Sequence, residues 1–206
     1  MENISEQDSF WAGEFGNQYS DRNKHEKLLA SNISLFSSVL KSTSKIDSLI
    51  EFGANIGMNL KSLKQLLPGA EISGIEINKK AYKKLEKLIG KKRSYCQSII
   101  DFTFEKTYDL CLIKGVLIHI NPEQLNEVYH KLYLASKKYI LIAEYYNPVP
   151  MSMTYRGHEN KLFKRDFAGE MLDKFNDLSL LDYGFVYHRD NLFPQDDINW
   201  FLLKKK

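Results

Sequence analysis

The stretch 51-EFGANIG-57 sets a glycine on either side of an asparagine. It follows the apolar run 46-IDSLI-50 and precedes 58-MNLKSLKQLL-67, whose leucines recur at helical spacing. A strand, a glycine turn and a helix in that order suit a nucleotide, because backbone N–H groups converge at the helix start. The spacing selects among nucleotides. A phosphate loop needs Gly-Lys-Ser/Thr at the helix start, and here Met58 and Asn59 follow Gly57. A dinucleotide loop needs G-x-G-x-x-G; counted from Gly53, the second and third glycine positions hold Asn55 and Met58. What remains is acid-x-G-x-N-x-G. Asparagine tolerates left-handed backbone, so Asn55 can keep the turn and add an amide that reaches a ligand.

Strands and helices alternate outward from this turn. Leu28, Leu29, Ile33, Leu35, Phe36, Val39 and Leu40 form one helical stripe over residues 25–41. Strands are expected at 46–53, 71–78, 93–99, 108–115 and 138–146, and helices at 57–67, 79–89 and 122–136. The 108-YDLCLIKG-115 run is nearly all apolar, as a strand covered on both faces should be. Pro68-Gly69 and Gly90 are helix stops, and Pro122 suits a first helical turn. A long aromatic and basic loop over 147–166 is expected to be functional. After a helix at 166–175, strands at 178–188 and 197–205 are placed to pair antiparallel. Such alternation predicts an α/β fold, a parallel sheet with helices on both faces. Ligands then bind beyond the carboxyl ends of the strands, which puts Glu51, Gly53, Glu76, Ser98, Lys114 and Tyr145 near that edge.

Composition narrows the classes. The chain has 206 residues, enough for one good-sized domain. The 29 basic and 26 acidic residues are interspersed, which argues against a nucleic-acid partner. No apolar run is long enough to span a bilayer, and 1-MENISEQDSF-10 does not read as a leader, so no membrane partner and a cytoplasmic protein are expected. Cys96 and Cys111 sit in apolar runs and read as buried free thiols; no metal-ligand spacing is present, so no metal is expected.

The acid-x-G-x-N-x-G pattern resembles motif I of the class I S-adenosylmethionine-dependent methyltransferases, commonly D/E-x-G-x-G-x-G. Glu51, Gly53 and Gly57 match it, and Asn55 replaces the middle glycine. Glu76 in 74-GIEIN-78 stands about 20 residues on, where an acid reaches ribose hydroxyls. The resemblance extends over nearly the whole chain. The segments 10-FWAGEFGNQYSDRN-23, 155-YRGHENKLFKRDFAGEMLDKF-175 and 181-LDYGFVYHRDNLFPQDDINWFLLKK-205 look like the methyltransferases associated with pseudaminic acid biosynthesis, members of sugar and surface-glycan operons. It implies a Rossmann-like methyltransferase domain over 1–206, with a mostly parallel seven-stranded sheet and an antiparallel last strand. Residues 1–45 would be a helical lid and 46–206 the catalytic core. It also implies S-adenosylmethionine as cofactor, S-adenosylhomocysteine as product, and a monomer or homodimer. Glu51 would hold the cationic amino end, and Gly53 and Gly57 would let the backbone pass close to the cofactor. Ala54, Asn55, Ile77, Ser98 and Ile99 complete that side with Lys114, a departure from the pattern: a cation where many relatives carry a small polar residue, placed to face an acceptor anion or to extend to solvent.

Trp11, Phe15 and Tyr19 fall on one helical face with Arg22 a turn on. They read as core packing or as a lid, with Trp11, Tyr19 and Arg22 at the cofactor. On the acceptor side the chemistry needs an aligned nucleophile and a base for its proton. Of five histidines, His25 and His130 read as surface residues in helices. His119, after the fourth strand, and His158, in the long loop, are the catalytic candidates, though His119 could instead cap the turn before Pro122. Tyr145, Tyr146, Asn147, Tyr155, Arg156, Lys164, Arg165 and His188 are candidate acceptor-binding residues. Their aromatic and basic mix suits a small anionic acceptor, such as a sugar acid or sugar nucleotide. A protein or glycan-polymer acceptor, and a non-catalytic cofactor-binding module, are the alternatives.

Overall fold

The structure, a computed structural model, describes residues 5–22 and 26–206, and the side chains of all of these but 21 and 22. Three helices open the chain: α1 (Glu6–Ala12), α2 (Glu14–Arg22) and α3 (Glu26–Leu40). The alternating unit follows as β1 (Ser48–Phe52), α4 (Met58–Leu66), β2 (Glu71–Ile75), α5 (Lys79–Ile89), β3 (Ser94–Tyr95), β4 (Tyr108–Lys114), α6 (Leu125–Ala135) and β5 (Ser136–Glu144). Next come β6 (Met151–Tyr155), β7 (His158–Lys164), α7 (Phe167–Lys174), β8 (Leu178–Val186) and β9 (Ile198–Lys205).

Seven strands form one sheet in the order β3-β2-β1-β4-β5-β9-β8. The pairs from β3 to β5 are parallel, and β9 runs antiparallel to both β5 and β8. The strand order reverses at β1, between β2 and β4, and that reversal opens a crevice at the carboxyl edge.

Alternate side chains of the central strands feed two cores. Ile50, Phe52, Cys111, Ile113, Ile140 and Ile142 pack with Val128 and Leu132 of α6 and with Phe167 and Met171 of α7. Leu49, Leu110, Leu112 and Leu141 pack on the other face with Leu35 and Phe36 of α3, Leu60 and Leu63 of α4, and Leu85 of α5. Covering on both faces explains why β4 reads as an unbroken apolar run.

Several expectations are corrected. The loop over 147–166 contains the hairpin β6–β7, turned at Arg156 (φ 50°) and Gly157 (φ 85°), two left-handed residues as a two-residue hairpin turn requires. The third strand keeps only Ser94 and Tyr95, so Ser98 and Ile99 lie on the connection after it. Cys111 is buried, but Cys96 is exposed. The N-terminal aromatics do not share one helix: the chain breaks at Gly13, where a Cβ would stand 2.9 Å from the Ser9 carbonyl oxygen. Their rings still meet, because α2 folds back on α1; Trp11 lies 5.3 Å from both Phe15 and Tyr19.

Asn78 ties these helices to the sheet. Its Oδ1 caps α5 by accepting from the N–H groups of Lys80 and Ala81, each at 3.0 Å. Its Nδ2 donates to the Trp11 carbonyl at 3.2 Å and to Asn17 Oδ1 at 3.1 Å.

Candidate functional site

A cavity of about 960 Å³ opens at the carboxyl edge, where β1, β2, β4 and β5 end. That volume lies at the upper end of small-molecule sites, with room for two ligands side by side.

One half is built by the 53–57 turn and the end of β2. Gly53, Asn55 and Gly57 all have positive φ, at 78°, 49° and 83°. The left-handed tolerance of asparagine is therefore used at Asn55. The N–H groups of Gly53 and Ala54 donate to the Ile75 carbonyl at 3.0 and 2.8 Å, pulling the turn over β2. Glu76 then accepts from the Asn55 N–H and from the Asn78 N–H, each at 2.7 Å. The Glu76 carboxyl is buried, and desolvation pushes its pKa up to about 7 against the pull of these N–H donors.

The two turn glycines are also required by packing. A Cβ on Gly53 would stand 2.5 Å from Val116 Cγ2, and one on Gly57 would stand 2.7 Å from Leu88 Cδ2. Gly57 does not line the cavity, and neither does Glu51. Glu51 is fully buried: Asn59 Nδ2 donates to its Oε1 at 2.5 Å, and its Oε2 has no partner among the described residues. Burial raises the Glu51 pKa to about 8. Glu144, at the end of β5, repeats the arrangement. Its Oε1 accepts from the N–H groups of Val116 and Leu117 at 2.9 Å each, its Oε2 is buried without a partner, and desolvation raises it to about 7. Lys114 lines the cavity near both carboxyls; burial lowers its pKa while Glu51, Asp196 and Glu144 hold it up.

Among the expected cofactor-side residues, Trp11, Tyr19, Gly53, Ala54, Asn55, Glu76, Ile77, Ser98, Ile99 and Lys114 come together around the cavity. The side chain of Arg22, like all of His25, lies outside the described residues. Ser98 also donates to Asp8 Oδ1 at 3.1 Å, a further tie to α1. The indole Nε1 of Trp11 is buried without a hydrogen-bond partner among the described residues.

The expected acceptor residues divide. Tyr145, Tyr146, Tyr155, Arg156, Lys164 and His188 line the cavity. Asn147 does not; its Nδ2 donates to the Val149 carbonyl at 2.6 Å, closing a local turn. Arg165 is drawn off by Glu170, with Nε 2.6 Å from Oε1. His158 sits outside the cavity, its ring 5.0 Å from Phe10 and 5.7 Å from Phe15. His119 lines the cavity but is 7% exposed, wedged 4.6 Å from the Trp11 ring and 4.8 Å from that of Tyr155. Its Nδ1 lies 2.6 Å from the Lys161 carbonyl, and desolvation lowers its pKa to about 4. That makes it a weak proton acceptor, packed between Trp11 of α1 and Tyr155 of β6. His130 is exposed on α6, as expected.

The sequence reading missed a whole wall. Phe185 at the end of β8, Tyr187, Gln195, Asp196 and Asp197 of the β8–β9 connection, and Asn199 at the start of β9 also line the cavity. The topology held the signal: β9 antiparallel to β5 brings the start of β9 beside the end of β5, as in the Asn199–Glu144 pairing.

No protein-family model matches the sequence, and no curated protein sequence matches it either. Solved structures do resemble the chain. An S-adenosylmethionine-dependent methyltransferase from Clostridium acetobutylicum ATCC 824 superposes with TM-score 0.64 at 11% identity, over 93% of this chain and 97% of that one. The 1,6-didemethyltoxoflavin-N1-methyltransferase of Burkholderia thailandensis, with 1,6-didemethyltoxoflavin and S-adenosylhomocysteine bound, gives 0.69 at 14% identity, over 93% and 85%. The magnesium protoporphyrin IX methyltransferase of Synechocystis PCC 6803, with its bound cofactor, gives 0.67 at 12% identity over the full length of both chains. The fold is that of the Rossmann-like class I methyltransferases.

Proposed function

We propose that this chain is an S-adenosylmethionine-dependent methyltransferase acting on a small anionic metabolite. The observation that carries the reading is the cavity rim itself: the left-handed 53–57 turn held against the buried Glu76 carboxyl, with Glu51 and Glu144 buried behind the cavity wall next to Lys114. The free oxygens of Glu51 and Glu144 are acceptors without donors, an arrangement that costs free energy until a donor arrives. Glu76 would take the ribose hydroxyls with its remaining lone pairs. The buried Trp11 N–H is a donor on the lid side.

The cofactor supplies an electrophilic methyl group on a sulfonium. The work of the chain is to bind, align and exclude water. The lid of residues 1–45 would cover the core of 46–206, held by Asn78 and by the 2.5 Å Lys161–Glu6 pair, which closes the hairpin over α1. Arg156 and Lys164 on the hairpin, with Lys114 below, give the acceptor half a positive field suited to carboxylate or phosphate. The glycan-pathway association of the sequence resemblance, a nonulosonic acid or similar acceptor, belongs to this proposal, as do a cytoplasmic location and a monomer or homodimer. Among the described residues no helix is long and apolar enough to cross a membrane, and no His/Cys/Asp/Glu group could hold a metal ion.

A polymer-borne acceptor is favoured by one observation. Exposed Tyr183 and Phe185 continue outward along β8 from Tyr187 at the rim, so an acceptor longer than the cavity would find an aromatic track.

Calorimetry with S-adenosylmethionine and S-adenosylhomocysteine tests the cofactor. We expect binding, and a loss of about 10–100-fold in Glu76→Ala, the worth of about 1.5–3 kcal/mol for hydrogen bonds to a charged group. Full binding by Glu76→Ala, or none by the wild type, sinks the reading.

A further inference from the structure

The β8–β9 connection is a built structure. Tyr187 accepts from the Asp190 and Gln195 N–H groups at 3.2 and 3.4 Å, and Asp190 Oδ1 accepts from those of Leu192 and Phe193. Gln195 is buried and donates to Asn32 Oδ1 of α3 at 3.1 Å, anchoring the loop to the sheet's helical layer. At its two ends stand His188 and Asp197, both lining the cavity. Asp197 takes a left-handed backbone, φ 54°, a strained state for a residue other than glycine. In it the carboxylate meets His188 twice: Oδ1 accepts from the His188 N–H at 2.9 Å, and Nδ1 lies 2.8 and 2.9 Å from the two oxygens. An Nδ1–H donating to a carboxylate fixes the tautomer and leaves the lone pair on Nε2. No partner of Nε2 occurs among the described residues. This pair has the geometry of a histidine base with its orienting carboxylate, which His119 and His158 lack.

We propose that His188, positioned by Asp197, takes the proton of the acceptor, and that the methylated atom is a hydroxyl oxygen. The inference rests on the methyltransferase reading above and adds the atom. A carboxylate acceptor attacks without losing a proton and needs no base. An ammonium acceptor would be opposed by Lys114, Arg156 and Lys164 but drawn by Asp8, Glu76, Asp196 and Asp197 of the same lining, so charge does not favour it. A hydroxyl on an otherwise anionic molecule needs the base and suits the cations of the hairpin. The oxygen lone pair forms the new O–CH3 bond, and the bond from methyl to the donor's sulfur breaks with its electron pair left on sulfur. The hydroxyl proton passes to Nε2 of His188. The resulting imidazolium stands against Asp197, and His188 is exposed, so the proton then leaves to water.

The test supplies the full chain with S-adenosylmethionine labelled with 13C in its methyl group and a protein-free extract of the cells that carry the gene. The extract stands in for the unidentified acceptor. Expected is a methyl ether, stable to mild alkali. His188→Gln should lower turnover about 100-fold or more, the range of a general base, with S-adenosylhomocysteine affinity within about twofold of wild type on calorimetry. Asp197→Asn keeps an oxygen for the His188 N–H but offers Nδ1 a donor, which reverses the tautomer. It should lower turnover at least tenfold with the cofactor KM unchanged, and imidazole 15N shifts should report the reversal. A purely structural role would move the melting temperature and leave turnover at saturation alone. An alkali-labile ester, an N-methyl product, His188→Gln within about threefold of wild type, or cofactor binding with transfer to nothing in the extract each overturns the proposal. Absence of cofactor binding by the wild type sinks the methyltransferase reading beneath it.

Discussion

At the 53–57 turn of the cavity, Glu76 gives both oxygens to the backbone N–H groups of Asn55 and Asn78. On the hairpin side, the Arg156 and Lys164 side chains have no hydrogen bond or short ion pair among the described residues; they lie over the faces of Tyr155 and Tyr145 at 5.8 and 5.2 Å, and Lys164 adds its charge to the field at Asp197. The first region is buried, internally bonded and part of the folding unit. In the second, Arg156 is exposed and Lys164 half-buried, and neither side chain is tied into the backbone of the folding unit. Changes on the first should therefore unfold the protein or weaken it, and changes on the second should leave the fold untouched.

Gly53 should break the first region most severely. Gly53→Val adds a left-handed β-branched residue, costing about 1–2 kcal/mol, and an overpacked contact with Val116 worth about 1–3 kcal/mol more. A melting temperature lower by about 5–15 °C is expected by calorimetric scan. A shift within about 2 °C would mean that the turn is not part of the folding unit.

The buried carboxyls sharpen the contrast through pH. Glu144 is raised from the ordinary 4.5 to about 7, chiefly by desolvation. A raised pKa means that the folded state binds the proton more tightly, so the stability tied to Glu144 is complete below about pH 4.5 and is lost as pH rises through 7. Glu144→Gln mimics the protonated form and can still accept from Val116 and Leu117. Without cofactor, the variant should lose less stability than wild type between pH 5 and 8, by about 1–3 kcal/mol on urea titration. Parallel curves would show that Glu144 stays ionised. A cation bound beside these carboxyls would lower their pKa, so S-adenosylmethionine binding should release protons near pH 7, read as a dependence of binding heat on the buffer.

Asn55 tests the same turn more gently. Asn55→Val places a β-branched residue at φ 49° and should cost about 1–2 kcal/mol. Asn55→Gly should melt within about 2 °C of wild type and bind the cofactor nearly as well. If the two variants bind alike, the backbone of the turn is not what asparagine supplies.

What was legible in the sequence follows the same division. The sheet could be read because β1, β2, β4 and β5 are local strand–helix units whose apolar runs reflect burial on both faces. The turn could be read because acid, glycines and Glu76 stand at fixed spacings. The far wall was legible only in part: Tyr145, Tyr146, Tyr155, Arg156, Lys164 and His188 line the cavity as expected, but the residues around Asp197 reach it through the sheet topology. Asp197 and His188 are nine residues apart, and only the antiparallel placement of β9 brings them to the cavity. The hairpin was hidden for another reason: its turn is Arg-Gly, and arginine at a left-handed position is not a turn signal. For His119, position after β4 does not reveal that Trp11 and Tyr155 pack against its ring.

The smallest effect is the most discriminating, because two lysines on one strand fall on opposite sides of the comparison. Lys161 is 5% exposed, reaches Glu6 at 2.5 Å and lies 5.3 Å from the Phe10 ring centre. Glu6 is largely exposed, so solvent screens the pair; Lys161→Ala should cost about 1 kcal/mol, partly through lost packing of its stem. Lys164, three residues on, is half-buried at the cavity, over the Tyr145 ring face and within the electrostatic reach of Asp197. Lys164→Ala and Arg156→Ala should each stay within about 0.5 kcal/mol of wild type in urea unfolding, with cofactor affinity unchanged. Methyl incorporation from the cell extract should nevertheless fall at limiting extract and recover as extract is raised, the pattern of lost ground-state binding. If Lys164→Ala instead destabilises as much as Lys161→Ala, the hairpin cations belong to the folding unit and the acceptor needs another anion site. If it changes neither stability nor incorporation, the acceptor does not touch the hairpin, and the positive field must come from Lys114 beneath it.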